Sequence, residues 1–103
     1  MNIEWVDNAK TDLFDLFAFY ESKNIAVAVK MYNGIIEEVE ILSIQPYLGK
    51  VEPLLEGLEF PFRSLVTKSG IYKIIYFIDG ETVYISRIWD CRQDPQKITP
   101  HHT

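Results

Sequence analysis

The chain has 103 residues, of which 48% are hydrophobic and 14% aromatic, so it has the size of one domain with a single core. Its formal net charge of −5 argues against strong non-specific binding to nucleic acid. Its apolar stretches are far shorter than the roughly 20 residues that cross a bilayer, so no membrane association is expected.

Cysteine usage and the N-terminus indicate the compartment. The single cysteine, Cys91, cannot form a disulfide within the chain, which favours a reducing environment. Asn2, Glu4 and Asp7 interrupt any apolar run that could serve as a signal peptide. We therefore predict a cytoplasmic protein. The sequence has no metal-ligand spacing and no glycine-rich phosphate loop, so we expect neither a metal nor a cofactor.

Charge is distributed unevenly along the chain. Residues 1–60 hold four lysines against eleven acids, whereas residues 61–103 hold six bases against four acids. All three arginines, Arg63, Arg87 and Arg92, lie in the second part. Because the guanidinium group suits phosphate and carboxylate recognition, this part is where binding chemistry is expected.

The first 22 residues predict a strand followed by a helix. Residues 2–6 alternate, with Ile3 and Trp5 on one side, and residues 9–22 place apolar side chains at helical spacing. Asp7 or Asn8 is the expected N-cap. Asp12 and Asp15 fall among the outward-facing positions. The apolar stripe consists of Leu13, Phe14, Leu16, Phe17 and Tyr20.

A second, longer helix is predicted over residues 25–44, after a short connection that ends in the capping residue Asn24. Gly34 lies in its interior, where glycine could let two helices approach closely. Pro46 is its stop signal. Its apolar stripe consists of Ala28, Tyr32, Ile35, Val39 and Leu42.

The rest of the chain predicts a loop and three strands. Residues 45–61 contain three prolines and two glycines, and strands are predicted over residues 62–68, 71–78 and 82–89. Asp79-Gly80, between the last two, is a strong hairpin signal. The order β-α-α-β-β-β predicts an α+β domain over residues 1–98, with a helical hairpin packed on a small, mainly antiparallel sheet. Residues 99–103 are predicted to be a disordered tail.

Three segments, in order, carry a resemblance to a known family. IEWVDNAKTDLFDLFAFY resembles a family opening in which a strand leads into the first helix, and QPYLGK resembles a Pro-x-x-Gly after the second helix. FRSLVTKSGIYKIIYFIDGETVYISRIWDCRQDP resembles the family's last three strands. Together they resemble the RelE/ParE superfamily of toxins from bacterial type II toxin–antitoxin modules.

Two departures place the chain closer to the ParE-like branch than to the RelE-like ribonucleases. Lys73 stands where many members have Arg, and Asp90 stands where many have His. The resemblance then implies a toxin that inhibits growth by binding a protein target such as DNA gyrase. The residues expected to bind that target are Arg87, Arg92 and Asp94.

A ribosome-dependent mRNA endoribonuclease is the alternative. Such chemistry needs a general base, a general acid and cations that stabilise the phosphate. The candidate catalytic residues are Arg63, Lys73, Arg87, Asp90 and Arg92, with Glu59 and Tyr76 as further proton-transfer groups. An inactive family member that only binds antitoxin is a third possibility.

The resemblance also implies a cognate antitoxin, which neutralises the toxin in a dimer or higher complex. A disordered antitoxin segment is expected to fold into an apolar groove. The residues expected to form that groove are Phe17, Tyr20, Tyr32, Leu54, Leu55 and Phe60.

Overall fold

A strand, two helices and four further strands follow one another in the computed structural model, which describes residues 1–98. The predicted disordered tail, residues 99–103, lies outside the described residues. Two short 3₁₀ helices, Pro53–Leu55 and Pro95–Lys97, complete the described part. The elements are β1 (Asn2–Trp5), α1 (Asp7–Glu21), α2 (Ile25–Ile41), β2 (Lys50–Val51), β3 (Arg63–Val66), β4 (Tyr72–Asp79) and β5 (Thr82–Asp90).

Within residues 1–98 the strands form a five-stranded sheet in the order β1-β5-β4-β3-β2. β1 pairs with β5 in parallel, and all other neighbours are antiparallel. The prediction of a helical hairpin on a mainly antiparallel sheet is therefore confirmed. The two-residue strand β2 was missed, because the prolines and glycines around it are typical of a loop.

The helix ends differ from the prediction in two places. α1 begins at Asp7 itself, and Val6, which has no polar side chain, occupies the N-cap position. α2 ends at Ile41, and its last backbone bonds tighten into i→i+3 contacts. Asn24 caps α2 as expected, since its side chain accepts from two backbone N–H groups. The idea that Gly34 allows close helix contact was wrong, because a Cβ there would meet nothing within 4 Å.

The hairpin predicted around Asp79-Gly80 is present, and it carries a bulge farther along β5. Asp79 pairs with Thr82, and Gly80 adopts the positive φ of 62° that the turn requires. Beyond that point the register shifts between Ile75 and Tyr76, so that Ser86 is an extra residue of β5 relative to β4. A bulge of this kind bends the strand and re-aims the side chains that follow it.

Apolar side chains cover both faces of the sheet. The face against α1 and α2 holds the larger cluster, and the opposite face holds a smaller one that includes the first 3₁₀ helix. Tyr76, from the first face, donates a hydrogen bond to the Pro46 carbonyl and accepts one from the Gly49 N–H. These bonds hold the segment after α2 against the sheet. The smaller cluster consists of Leu55, Phe62, Ile75, Trp89 and Ile98.

β1 pairs with only the first half of β5, and beyond it a carboxylate from α1 forms hydrogen bonds with the edge of the strand. The pairing with β1 ends at Ile85. Asp12 then accepts the backbone N–H of Ile88 at 2.9 Å and the Arg87 Nε and Nη2 donors at 2.7 and 3.0 Å. Both side chains of the ion pair are about nine-tenths buried. Asp12 is therefore not an outward-facing acid, because the helix turns it towards the strand edge.

Replacing Asp12 by alanine tests this contact. The change removes the carboxylate that Arg87 and the Ile88 N–H bind, and breaking a buried ion pair costs about 3 kcal/mol or more. We expect Asp12→Ala to lower the free energy of unfolding by that amount in urea titration. Asp15→Ala, at an exposed position three residues later, is the matched control and should change it by less than about 0.5 kcal/mol. Equal effects of the two changes would contradict the assignment.

Candidate functional site

The end of β5 and the flank of α1 enclose a polar cavity of about 230 Å³. Leu16, Phe19 and Trp89 give it apolar walls, and the Asp12–Arg87 pair lies in its lining. It forms here because α1 crosses the strand edge where β1 has ended. We call residues 90–94, where the chain leaves β5, the exit segment, and we call the cavity beside them the exit cavity.

Arg92 and Asp90 form a closed pair at the rim of the cavity. Asp90 Oδ1 accepts the Arg92 backbone N–H at 2.8 Å and Nε at 3.0 Å, and Oδ2 accepts Nη2 at 2.8 Å. The pKa of Asp90 lies below its usual value, chiefly because Arg92 donates to its side chain. The Arg92 side chain is nevertheless 58% exposed, so a partner can reach it.

Two tyrosines stand behind this pair. The Tyr72 hydroxyl donates to the Tyr20 hydroxyl at 3.4 Å, which ties β4 to α1. Burial, more than any other cause, raises the pKa of Tyr72 well above its ordinary value. Its phenol therefore stays protonated at neutral pH. Cys91, in the exit segment, is exposed, and partial burial of its thiol raises its pKa, so thiolate chemistry is disfavoured.

Arg63 and Lys73 do not join Arg87 and Arg92 in the lining of the exit cavity. β4 lies between β3 and β5, so the strands that carry Arg63 and Arg87 are not neighbours. Arg63 donates to the Gly49 carbonyl at 2.7 Å and stacks over the Tyr47 ring. Lys73 pairs with the buried Glu52 at 3.2 Å, and Glu52 also accepts from Ser64. These contacts fasten the 45–62 connection to the sheet.

The other residues predicted for catalysis or target binding differ in burial and in their contacts. Tyr76 is fully buried, and burial raises its pKa. Glu59 is exposed on the connection before β3. The Asp94 side chain accepts the Gln96 N–H and so caps the start of the second 3₁₀ helix, and Asp94 remains exposed to solvent. Arg87 is buried against Asp12, and its guanidinium also lies over the Trp89 ring.

A second, apolar cavity of about 550 Å³ lies between the outer faces of α1 and α2, and we call it the hairpin groove. Phe17 and Tyr32, both predicted for antitoxin binding, line it and meet edge to face at 5.9 Å. Phe14 also lines it and is 73% exposed. The helical spacing places Phe14 in the same apolar stripe of α1 as the buried Leu13 and Leu16, so the sequence does not distinguish it from them. The other lining residues are Trp5, Lys10, Leu13 and Ile36.

The other residues predicted for antitoxin binding do not join this groove. Leu55 is buried in the cluster on the opposite face of the sheet, so its side chain belongs to the core. Phe60 stacks on Phe77 of that face at 4.3 Å, and Leu54 is exposed beside Leu55. Tyr20 lies near the exit cavity through its contact with Tyr72. The expected single groove is therefore split between two faces of the sheet.

Two searches of the described residues bear on other kinds of site. Residues 1–98 contain no helix that is both long and apolar enough to cross a membrane. Over the same residues, histidine, cysteine, aspartate and glutamate side chains do not gather in groups of three or more that could hold a metal ion.

Comparisons with known proteins agree with the fold and the sequence pattern. A search of curated proteins gives no match. A solved structure titled "Chromosomal ParDE TA system from P. aeruginosa" is similar, with a TM-score of 0.73 and 22% sequence identity over 87% of this chain and 95% of that chain. The family model described as the ParE toxin of the type II toxin-antitoxin system parDE matches residues 3–95. The chain therefore belongs to the ParE toxin family, within the RelE/ParE superfamily that its sequence resembles.

Proposed function

We propose that this ParE-family chain inhibits growth by binding a protein target, DNA gyrase, without cleaving RNA. The supporting observation is that its own chain engages each basic residue considered for phosphate chemistry. Arg87 is paired with Asp12, Arg92 with Asp90, and Lys73 with Glu52. Arg87 and Arg92 line the same cavity, but each is neutralised there by its own carboxylate, and Lys73 is held by Glu52 outside that lining. A cleavage site would need cations aimed at one phosphate rather than paired with carboxylates.

The proton-transfer groups give further support. Asp90 has a lowered pKa, which makes it a weak base at neutral pH. Tyr72 and Tyr76 have raised pKa values, so neither provides a phenolate. These three groups therefore suit a binding surface better than a metal-free ribonuclease site.

The exit segment is the surface that we assign to the target. Arg92 is exposed there with its guanidinium held in place, and arginine is among the residue types that contribute most to protein interfaces. Gln93 and Asp94 are exposed beside it. Arg87 supports the segment from within the cavity. Because gyrase acts on DNA, the proposed place of action is the cytoplasm.

The hairpin groove is the surface that we assign to a cognate antitoxin. Its lining is apolar apart from Lys10, and such a groove suits an amphipathic segment that folds on binding. An acidic group on that segment would complement Lys10. Covering Phe14 and Tyr32 would remove two large exposed side chains from water.

Arg92→Ala tests the proposed target surface. Expressed without an antitoxin, the wild-type chain should arrest bacterial growth and induce a DNA damage response while mRNA stays intact. Arg92→Ala should abolish both effects and retain the wild-type melting temperature, because Arg92 lies at the surface. Growth, a damage-response reporter and mRNA integrity are measured in parallel.

Lys50→Ala is the control for Arg92→Ala, since Lys50 is an exposed cation on β2 at the far edge of the sheet. It should remain fully toxic. Full toxicity of Arg92→Ala would move the target surface elsewhere. Arrest with mRNA cut at ribosomes and without a damage response would instead support the ribonuclease alternative, and a folded wild-type chain without any toxicity would support an inactive member.

Phe14→Asp tests the hairpin groove. The carboxylate would face an apolar antitoxin segment, so co-expressed antitoxin should no longer rescue growth, whereas toxicity without antitoxin should persist. Affinity should fall at least tenfold in titration calorimetry, since burying the carboxylate under the antitoxin costs more than attraction to the exposed Lys10 regains. Leu58→Asp, an exposed leucine on the connection between β2 and β3, is the control and should still be rescued. Rescue of Phe14→Asp at wild-type affinity would refute the assignment.

A further inference from the structure

Asp90, the last residue of β5, is bound to Arg92, which lies two residues farther along the chain. Its two oxygens take three donors of Arg92: the backbone N–H, Nε and Nη2. An arginine side chain carries five N–H donors, and the two side-chain bonds to Asp90 leave three for a partner. The remaining donors belong to Nη1 and the second N–H of Nη2, which lie at the outer end of the guanidinium.

We propose that Asp90 is a positioning residue for the exit segment. It holds Arg92 so that the outer end of the Arg92 guanidinium faces a carbonyl or amide oxygen of the protein partner. This inference rests on the proposed function, because Arg92 must be the residue that the target contacts. An arginine whose guanidinium is already held in place loses less conformational freedom on binding. The contact with Asp90 therefore favours association with the partner.

The charge of the pair decides the kind of partner. Asp90 neutralises Arg92, and the cavity behind them adds Asp15 and the paired Asp12. A phosphodiester approaching Arg92 would meet an excess of negative charge, because the cavity lining holds three carboxylates, of Asp12, Asp15 and Asp90, against the guanidinium groups of Arg87 and Arg92. A neutral carbonyl or amide oxygen from a protein has no such cost, so the geometry favours a protein over a nucleic acid at this end of the sheet.

The second oxygen makes this geometry specific to a carboxylate at residue 90, because Oδ2 accepts Nη2 while Oδ1 is occupied. Asp90 Oδ1 accepts both the Arg92 backbone N–H and Nε, so one oxygen fixes the turn and the side chain together. Asparagine can keep that Oδ1 contact but loses the charge and the second acceptor. Alanine loses all three bonds. The two variants therefore separate the acceptor from the charge.

Toxicity of Asp90 variants tests the proposal in cells. Asp90→Ala should reduce growth inhibition at least tenfold, measured as the inducer concentration needed for arrest, and Asp90→Asn should fall between Asp90→Ala and wild type. Affinity for purified gyrase, which registers residual binding that growth does not, should be the same for Arg92→Ala with and without Asp90→Ala, whereas independent structural damage from Asp90→Ala would lower it further. Asp79→Ala, at the opposite end of the hairpin, is the control and should be fully toxic.

The outcomes separate this inference from the proposed function. Loss of toxicity in Arg92→Ala with full toxicity in Asp90→Ala would overturn the positioning role and leave the target surface standing. Full toxicity of Arg92→Ala would overturn both.

A measurement on the isolated protein needs no target. The Arg92 Nε–H should give a distinct, slowly exchanging ¹⁵N NMR signal in the wild type, and that signal should be lost in Asp90→Ala but kept in Asp79→Ala. A wild-type chain without a slowly exchanging Arg92 signal would overturn the positioning role whatever the target is.

Discussion

The carboxylate of Asp12 determines how the sheet of this protein ends. β1 stops pairing at Ile85, and an open strand edge would expose backbone N–H groups beyond it. Asp12 fills that place from α1 by accepting the Ile88 N–H and binding Arg87. One side chain thus joins the helical layer to the last strand, and the cavity at the exit segment exists because of this crossing.

α1 consequently serves two surfaces. One side of the helix carries Phe14 and Phe17 into the hairpin groove, and another side lines the exit cavity with Asp15 and Phe19. The arrangement follows from the helical repeat, which places residues one position apart on different sides. A partner that covers the groove therefore binds the same helix that supports the exit segment, so the proposed antitoxin and target surfaces are separate but structurally connected.

The sequence was sufficient for the fold but not for the contacts that shape the site. The two helices and the Asp79-Gly80 hairpin follow from local patterns, and the structure confirms them. The apolar stripe of α1 is only partly buried, since Phe14 is exposed in the hairpin groove. The prediction that Asp12 faces outward was wrong, because an acid on the polar side of a helix gives the same sequence pattern whether it contacts water or a strand edge. Local sequence patterns do not predict the contacts of Asp12 with Arg87 and Ile88, which lie 75 and 76 positions away along the chain.

The residues predicted to bind the antitoxin show that burial, too, cannot be read from a local sequence pattern. Phe14 and Leu55 are both large apolar residues, yet one is exposed in the groove and the other is buried under the sheet. Their burial depends on which face each segment packs against, and that is decided by the order of the strands. The bulge at Ser86 is a further case, since the length mismatch between β4 and β5 becomes visible only when the strands are paired.

The most direct test of the central claim, that this chain binds gyrase rather than cutting RNA, uses purified components. The chain is incubated with DNA gyrase, ATP and relaxed plasmid, and separately with programmed ribosomes, and the two products are measured. We expect loss of gyrase supercoiling or accumulation of gyrase-bound DNA breaks, with intact mRNA on the ribosomes. Normal supercoiling together with ribosome-dependent mRNA cleavage would contradict it.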